Sequence, residues 1–364
     1  MTAPFTLSSD DTLSPDDLES ILQGACFLGS GGGGPLALGR RFIDDIAKAG
    51  QPVRVVDVAS VPPDATGAIV AGVGSPTAAA SGFPSDAPGV AWRELERIVG
   101  HSLGYLIPAE IGAGNTFIPL LLSAQTGLPV IDGAGADRAV PALQLCTYAS
   151  AGVPLGTVVL GNSDLVLSFA TADPAVADNA MRAMLGGGIF DEDAGSALWS
   201  MDGAQIAAGA IRGTTTRALK VGRLLSTSSD PVEEVSAYLD GSVLVRGTIT
   251  DLGEATAGGF DRGHLTITAS GGESVTVVNV NENLIAYSGQ SASVLATAPD
   301  LLCFMTTEGQ AFSNAEAKTY ADSKAEVALV LVPSAPQMRS TYLLDGFRTV
   351  LQSVGYYGPL QLTT

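Results

Sequence analysis

Glu110 and Asp132 are the residues whose types and positions best suit acid–base chemistry. Each ends a short apolar run and precedes a glycine-rich loop, Gly112 to Asn115 in the first case and Gly133 to Arg138 in the second. Two carboxylates at one place can divide the acid and base roles if their environments push their pKa values apart. We therefore predict that Asp132 is a base or a metal ligand and that Glu110 is its partner.

Two consecutive units of the same kind would position this pair. Tyr105 to Ile111 and Pro129 to Asp132 have the composition of buried strands, and their loops lead to helical segments at Phe117 to Ala124 and Ala139 to Tyr148. Apolar strands that alternate with helices imply a parallel sheet, in which ligands gather at the carboxyl ends of the strands. Both carboxylates are therefore predicted at one shared edge.

A glycine run is a further candidate for ligand binding. Gly29-Ser30-Gly31-Gly32-Gly33-Gly34 precedes a predicted helix, and free N–H groups at a helix N-terminus suit a carboxylate, an oxyanion or a polarised carbonyl. A flexible turn between two helices is an equal alternative. A nicotinamide fingerprint needs a strand before the glycines, and here a helix precedes them, so we expect neither a nicotinamide nor a flavin cofactor.

The pattern along the chain predicts two domains and an α/β fold. Residues 1–170 would form an N-terminal α/β domain with a mainly parallel sheet and glycine-rich loops. From about Ser242 the apolar residues recur with a period near two, so residues 171–364 are predicted to form a C-terminal β-rich domain with some helices. Ser81 to Gly89 is rich in Pro, Gly and Ser and is predicted to be a surface loop or lid.

Composition excludes several classes of protein. The 364 residues are 46% hydrophobic and carry a formal net charge of −19, which would repel nucleic acid and anionic membranes. No lysine or arginine precedes Arg40 and no apolar run is long enough for a membrane span, so we expect a cytoplasmic protein. Two histidines exclude a three-histidine zinc site, and three widely spaced cysteines indicate no disulfide framework.

Five motifs occur in an order that resembles the S-methyl-thiohydantoin desulfurase-like family, which is associated with hydantoinases. The motifs are Leu28 to Gly34, Ala109 to Asn115, Asp132 to Pro141, Asn281 to Leu284 and Ala298 to Leu301. The resemblance covers nearly the whole chain. It implies an N-terminal α/β domain, a β-rich C-terminal domain, and hydrolysis of a C–S or C–N bond in a five-membered cyclic ureide or its sulfur analogue.

Hydrolysis of such a ring needs an activated water, a proton for the leaving group and donors for the developing charge. Arg138 would join Asp132 and Glu110 as a catalytic residue, and a divalent metal on the carboxylates is left open. The Asn281–Asn283 segment is predicted to close the site from the second domain. The predicted ligand-binding residues are Gly31, Gly32, Gly33, Asn115, Asp137, Asn281, Glu282 and Asn283.

A non-catalytic role is the alternative hypothesis. The scarcity of histidine and the lack of a clear nucleophile are compatible with a ligand-binding or partner subunit of a hydantoinase-type enzyme. Either protein would bind a small cyclic amide or thioamide, and we expect a homo-oligomer.

Overall fold

The computed structural model describes residues 12–74, 83–190, 193–257 and 260–363. The loop predicted at Ser81 to Gly89 lies partly outside these ranges, and a helix begins within it at Ala87. Among the residues that the structure describes, no helix combines the length and the apolar character needed to span a bilayer.

The first sheet, sheet A, contains strands β1 to β8 in the order β1-β4-β3-β2-β7-β5-β6, with β8 paired to β4. Strands β1 to β4 pair in parallel, whereas β5 to β8 make antiparallel pairs. The parallel part confirms the prediction made from alternating strands and helices. The strands are β1 (Val55–Asp57), β2 (Thr66–Gly74), β3 (Tyr105–Pro108), β4 (Val130–Ala134), β5 (Gly156–Gly161), β6 (Val166–Thr171), β7 (Asp193–Asp202) and β8 (Ile211–Arg212).

Helices pack against both sheets of the protein. They are α1 (Pro15–Leu28), α2 (Leu36–Ala49), α3 (Ala87–Val99), α4 (Phe117–Thr126), α5 (Thr147–Ser150), α6 (Pro174–Gly186), α7 (Gly203–Gly209), α8 (Thr214–Thr227), α9 (Pro231–Tyr238), α10 (Ala317–Ser323) and α11 (Thr341–Ser353). Ser14 and Asp17 form a capping box at the start of α1. Helices α1 and α8 approach closely because Gly24 and Gly222 have no side chain: a Cβ on Gly24 would lie 1.8 Å from the Ala218 carbonyl oxygen.

One helix prediction is wrong in part. The segment from Ala139 to Tyr148 forms only a 3-10 turn and the start of α5, because Pro141 cannot donate to a helix and disfavours helical geometry in the residue before it. Farther along the chain, α7 and α8 are separated by β8. Gly213, in the left-handed conformation, precedes the second of them.

The second sheet, sheet B, is antiparallel throughout, in the order β13-β12-β11-β10-β9-β16-β14-β15. The protein therefore combines an α/β domain with a β-rich one, as predicted. The strands are β9 (Ser242–Ala257), β10 (Phe260–Thr268), β11 (Ser274–Val280), β12 (Glu282–Ser288), β13 (Val294–Thr297), β14 (Leu301–Thr306), β15 (Ala311–Phe312) and β16 (Val327–Val332).

The two sheets share a continuous apolar core. Ile21 and Leu22 of α1 belong to the same buried cluster as Leu301 and Met305 of β14. Strands β7 and β8, which follow residue 170, are part of sheet A. The two halves of the chain are thus held together by buried apolar surface, and residues from both can be placed at one site.

Candidate active site

A cavity of about 150 Å³ lies where β2 and β3 end, between sheet A, helix α6 and the turn that joins β11 to β12. Most of its wall is apolar. The side chains in it that can ionise are Glu110, Cys146, Asp178, Arg182 and Glu282.

Glu110 lies two residues beyond the end of β3 and is held by two hydrogen bonds. The side-chain N–H of Asn115 donates to its Oε1 at 2.8 Å, and the backbone N–H of Val140 donates to its Oε2 at 2.8 Å. Burial raises the pKa of Glu110 to about 7, although these two donors and the positive charges of Arg138 and Arg182 oppose the shift. Glu110 is therefore a fixed carboxyl group that titrates near neutral pH.

Glu282 faces Glu110 from the second sheet. It is the first residue of β12, and Asn281 before it turns the chain with a φ of 56°, a conformation that asparagine adopts more readily than most residues. Burial is the main cause that raises the pKa of Glu282 to about 8, and the negative charge of Glu110 is the second cause. Its Oε2 is buried and has no hydrogen-bond partner among the described residues. Glu282 is thus the carboxyl group that holds its proton more firmly.

Asn115 fixes the orientation of Glu110. Its amide N–H donates to Glu110, and its Oδ1 accepts a hydrogen bond of 3.0 Å from the backbone N–H of Gly72 in β2. Because both ends of the amide are engaged, the position of the Glu110 carboxyl follows from the register of β2 beside β3. Asn115, predicted as a ligand-binding residue, lines the cavity and holds Glu110 in place.

Helix α6 contributes an ion pair that the sequence prediction missed. Arg182 Nε contacts Asp178 Oδ2 at 2.7 Å, and both side chains line the cavity. The positive charge of Arg182 lowers the pKa of both Glu110 and Glu282 against the effect of burial. The spacing of four residues on a helix is the signal in the sequence, but such pairs are common on solvent-exposed helices.

Asp132 does not line this cavity. Its Oδ1 accepts from the backbone N–H groups of Thr215 and Thr216 at 2.9 and 3.1 Å, and its Oδ2 accepts from the Thr216 hydroxyl at 2.5 Å. These are contacts to the first turn of α8, where a negative charge is stabilised by the helix dipole. The structure thus places the predicted base as a cap of α8, and the glutamate that shares the cavity with Glu110 is Glu282.

Arg138 and Asn283 join the two domains instead of lining the cavity. The guanidinium of Arg138 is fully buried and donates to backbone carbonyls of the second domain, at 2.9 Å to Asp300 and 2.7 Å to Asn283. The side chain of Asn283 donates to the Leu302 carbonyl at 2.7 Å and accepts from Asn314 at 3.1 Å. Arg138 still acts on the site through its charge, which lowers the pKa of both glutamates.

The glycine run provides room for the second domain. A Cβ on Gly31 would lie 2.6 Å from Asn283 Oδ1, one on Gly32 would lie 2.4 Å from Glu282 Oε1, and one on Gly33 would lie 2.5 Å from the Cα of Gly112. Of these predicted ligand-binding glycines, Gly33 lines the cavity. Asp137, predicted to bind the ligand, lies in a separate cleft.

The thiol of Cys146 also lines the cavity. Burial, with the negative charge of Glu110, raises its pKa well above the usual value, so it is a neutral thiol at physiological pH. No group of three or more His, Cys, Asp or Glu side chains arranged to hold a metal ion occurs within residues 12–74, 83–190, 193–257 and 260–363.

Two family models together match most of the chain. One, described as the S-Me-THD-like N-terminal domain, matches residues 16–167, and the other, the S-Me-THD-like C-terminal domain, matches residues 172–346. The chain belongs to the S-methyl-thiohydantoin desulfurase-like (S-Me-THD-like) family. Glu110, which lines the cavity, belongs to the first of these domains, and Glu282 belongs to the second. The cavity is therefore formed by both domains.

A solved structure is similar to this protein over nearly the whole chain. The crystal structure of a protein from Chromobacterium violaceum is 31% identical and has a TM-score of 0.83, covering 97% of this chain and 100% of that chain. No curated protein matches this chain. The family is consistent with a function related to thiohydantoins.

Proposed function

We propose that the protein is a hydrolase that acts on an S-methylated thiohydantoin or a related five-membered cyclic ureide. The observation that carries the proposal is the pair of buried carboxyl groups, Glu110 and Glu282, in one small cavity. An apolar cavity of about 150 Å³ can hold a molecule the size of benzene, so a five-membered ring with small substituents fits this one.

The different surroundings of the two carboxyl groups support different roles. Glu110 accepts two hydrogen bonds, which favour its ionised form, whereas Oε2 of Glu282 has no donor within the described part of the chain. The negative charge of Glu110 further favours a proton on Glu282. We therefore assign Glu110 as the general base and Glu282 as the general acid.

The proposed reaction needs only the substrate and one water molecule. Glu110 takes a proton from a water molecule, whose oxygen forms a bond to the ring carbon that carries the methylthio group. Glu282 donates its proton to the sulfur as the C–S bond breaks, and methanethiol leaves. The second hydrogen of the water moves from the new C–O–H group to the ring nitrogen, so that the ring C=N becomes a C=O beside an N–H. The proton on Glu110 returns to Glu282 through solvent.

Backbone donors are available for the charge that develops on the ring. Gly33 and Gly34 line the cavity, and their N–H groups have no acceptor among the described residues. Donors held at the position of a developing negative charge accelerate such reactions, typically by about 10²- to 10³-fold each. This assignment keeps the oxyanion role predicted for part of the glycine run.

The test is turnover by the purified protein alone. It should be incubated with S-methyl-thiohydantoin, 2-thiohydantoin, hydantoin and succinimide, with released thiol and ring product measured together. We expect methanethiol and hydantoin in equal amounts from the first compound. Glu110→Gln and Glu282→Gln should each lower kcat by at least about 10²-fold, because each removes one proton transfer.

Glu254→Gln is the matched control, since it makes the same change at a glutamate of β9 whose pKa burial also raises. It should leave kcat unchanged. Binding of these rings without turnover would contradict the proposal and favour the alternative of a non-catalytic ligand-binding or partner subunit.

A further inference from the structure

A second cleft, of about 520 Å³, lies between the domains and shares no lining residue with the cavity of the glutamates. One side is formed by β8 and the start of α8, and the other by the turn from Pro333 to Gln337. Its lining is mostly polar, which distinguishes it from the largely apolar cavity.

Two of the side chains that line this cleft each have a buried polar atom without a partner among the described residues. Asp137 is 1% exposed; its Oδ2 accepts from Ala335 N–H at 2.7 Å and from Arg217 at 3.2 Å, but its Oδ1 has no donor among the described residues. Thr214 is 2% exposed, and its hydroxyl likewise has no partner in the part of the chain that the structure describes. Leaving such groups unpaired typically costs about 1–3 kcal/mol each, so a ligand that pairs with them would be stabilised.

The charges around the cleft favour a zwitterion. Asp137 and Arg217 form an ion pair at 3.2 Å, and exposed Arg212 and Asp240 add one charge of each sign. Because these four charges sum to zero, neither a simple anion nor a simple cation is favoured overall. A ligand with an ammonium group for Asp137 Oδ1 and a carboxylate for Arg217 would match both ends of the ion pair.

We propose that this cleft binds a free α-amino acid. The ammonium group donates to Asp137 Oδ1, the carboxylate accepts from Arg217 and from the Thr214 hydroxyl, and the amino-acid side chain extends toward the open rim near Arg212. The site is independent of the proposed hydrolase reaction, because it shares no residue with the cavity of the glutamates.

The experiment is calorimetric titration of the full-length protein with glycine, L-alanine, L-glutamate and L-arginine. We expect at least one to bind, and Thr214→Val to weaken that binding by about tenfold, the effect of losing one hydrogen bond to a charged group. Thr214→Val keeps the shape of the side chain and removes only an unpartnered hydroxyl, so its Tm should equal or exceed that of the wild type.

Thr215→Val is the matched control. The Thr215 hydroxyl is also buried and without a partner in the described structure, but it does not line the cleft. Arg212→Ala, at an exposed position where loss of folding is not expected, should also weaken binding. Failure of all four amino acids to bind the wild type, or equal affinity of the Thr214→Val and Thr215→Val variants, would overturn the proposal.

Discussion

Replacement of Asp132 by asparagine separates a structural role from a catalytic one. The Asp132 carboxylate accepts two backbone N–H groups and one hydroxyl at the start of α8. Asparagine keeps the shape, its oxygen can accept the two N–H groups, and its amide nitrogen can donate to the hydroxyl oxygen. The loss is then confined to the negative charge beside the helix N-terminus, and burial, which raises the pKa of Asp132, already offsets part of what that charge contributes.

The expected cost follows from that geometry. Interaction of a charge with a helix terminus contributes up to about 2 kcal/mol when partly buried, and hydrogen bonds to a charged group contribute about 1.5–3 kcal/mol. Because the hydrogen bonds are largely retained, we expect Asp132→Asn to lower the free energy of unfolding by about 1–2 kcal/mol. For a large domain this lowers Tm by roughly 2–8 °C.

Thermal unfolding and turnover should be measured on the same preparation. We expect the lower Tm together with kcat within about threefold of the wild type, well short of the roughly 10²-fold loss that removal of a general base causes. Asp173→Asn is the control, because Asp173 caps α6 at an exposed position and asparagine caps equally well. A wild-type Tm with a 10²-fold lower kcat, on the scale of general-base loss, would refute the structural role of Asp132.

Two further predictions concern Glu282. Burial raises its pKa and that of Glu110 above 4.5, to about 8 and about 7, so the folded protein keeps protons that the unfolded chain releases. The contribution of these two carboxyl groups to stability should be greatest below pH 4.5. It should fall by up to about 1.4 kcal/mol per pH unit for each group, until pH 7 for Glu110 and pH 8 for Glu282. Urea unfolding at several pH values should show a shallower fall for Glu282→Gln, and equal slopes would contradict the shifted pKa. Gly32→Ala would place a Cβ 2.4 Å from Glu282 Oε1 and displace that carboxyl, so we expect kcat to fall at least about tenfold with the fold intact. Gly271→Ala is the control, because no atom lies within 4 Å of the added Cβ, and it should have wild-type activity. Full activity in Gly32→Ala would contradict the assigned position of Glu282.

Strand and helix periodicity predicted the fold class because most elements bury one face. The strands β9, β10 and β11 alternate between buried and partly exposed residues, which gives the period near two seen in the sequence. In contrast, β14 is buried at every position and β12 at its first five, so neither has an alternating pattern to detect. In the Asn281–Asn283 segment, which was predicted to close the site, Asn281 forms a turn and the next two residues begin β12.

The sequence placed Glu110 and Asp132 at neighbouring strands, and the structure confirms that β3 and β4 pair. It could not predict the direction of each side chain. Asp132 is inside β4, all of whose residues are buried, so apolar character did not distinguish its two faces. Its side chain meets the start of α8, an element that begins more than 80 residues later.

The glycine run illustrates why local sequence left two alternatives open. Its composition suits both an anion-binding loop and a turn, because both need backbone that approaches another group closely. Glu282 and Asn283 are the neighbours that decide its role, and they lie about 250 residues away in the chain. They contact the glycine run because sheet B packs on α1. A side chain at Gly32 would occupy the space of the Glu282 carboxyl, so the run determines how near the proposed acid comes to Glu110. The glycines therefore act mainly by leaving space for the Glu282 carboxyl, and in the proposed reaction the N–H groups of Gly33 and Gly34 would donate to the ring.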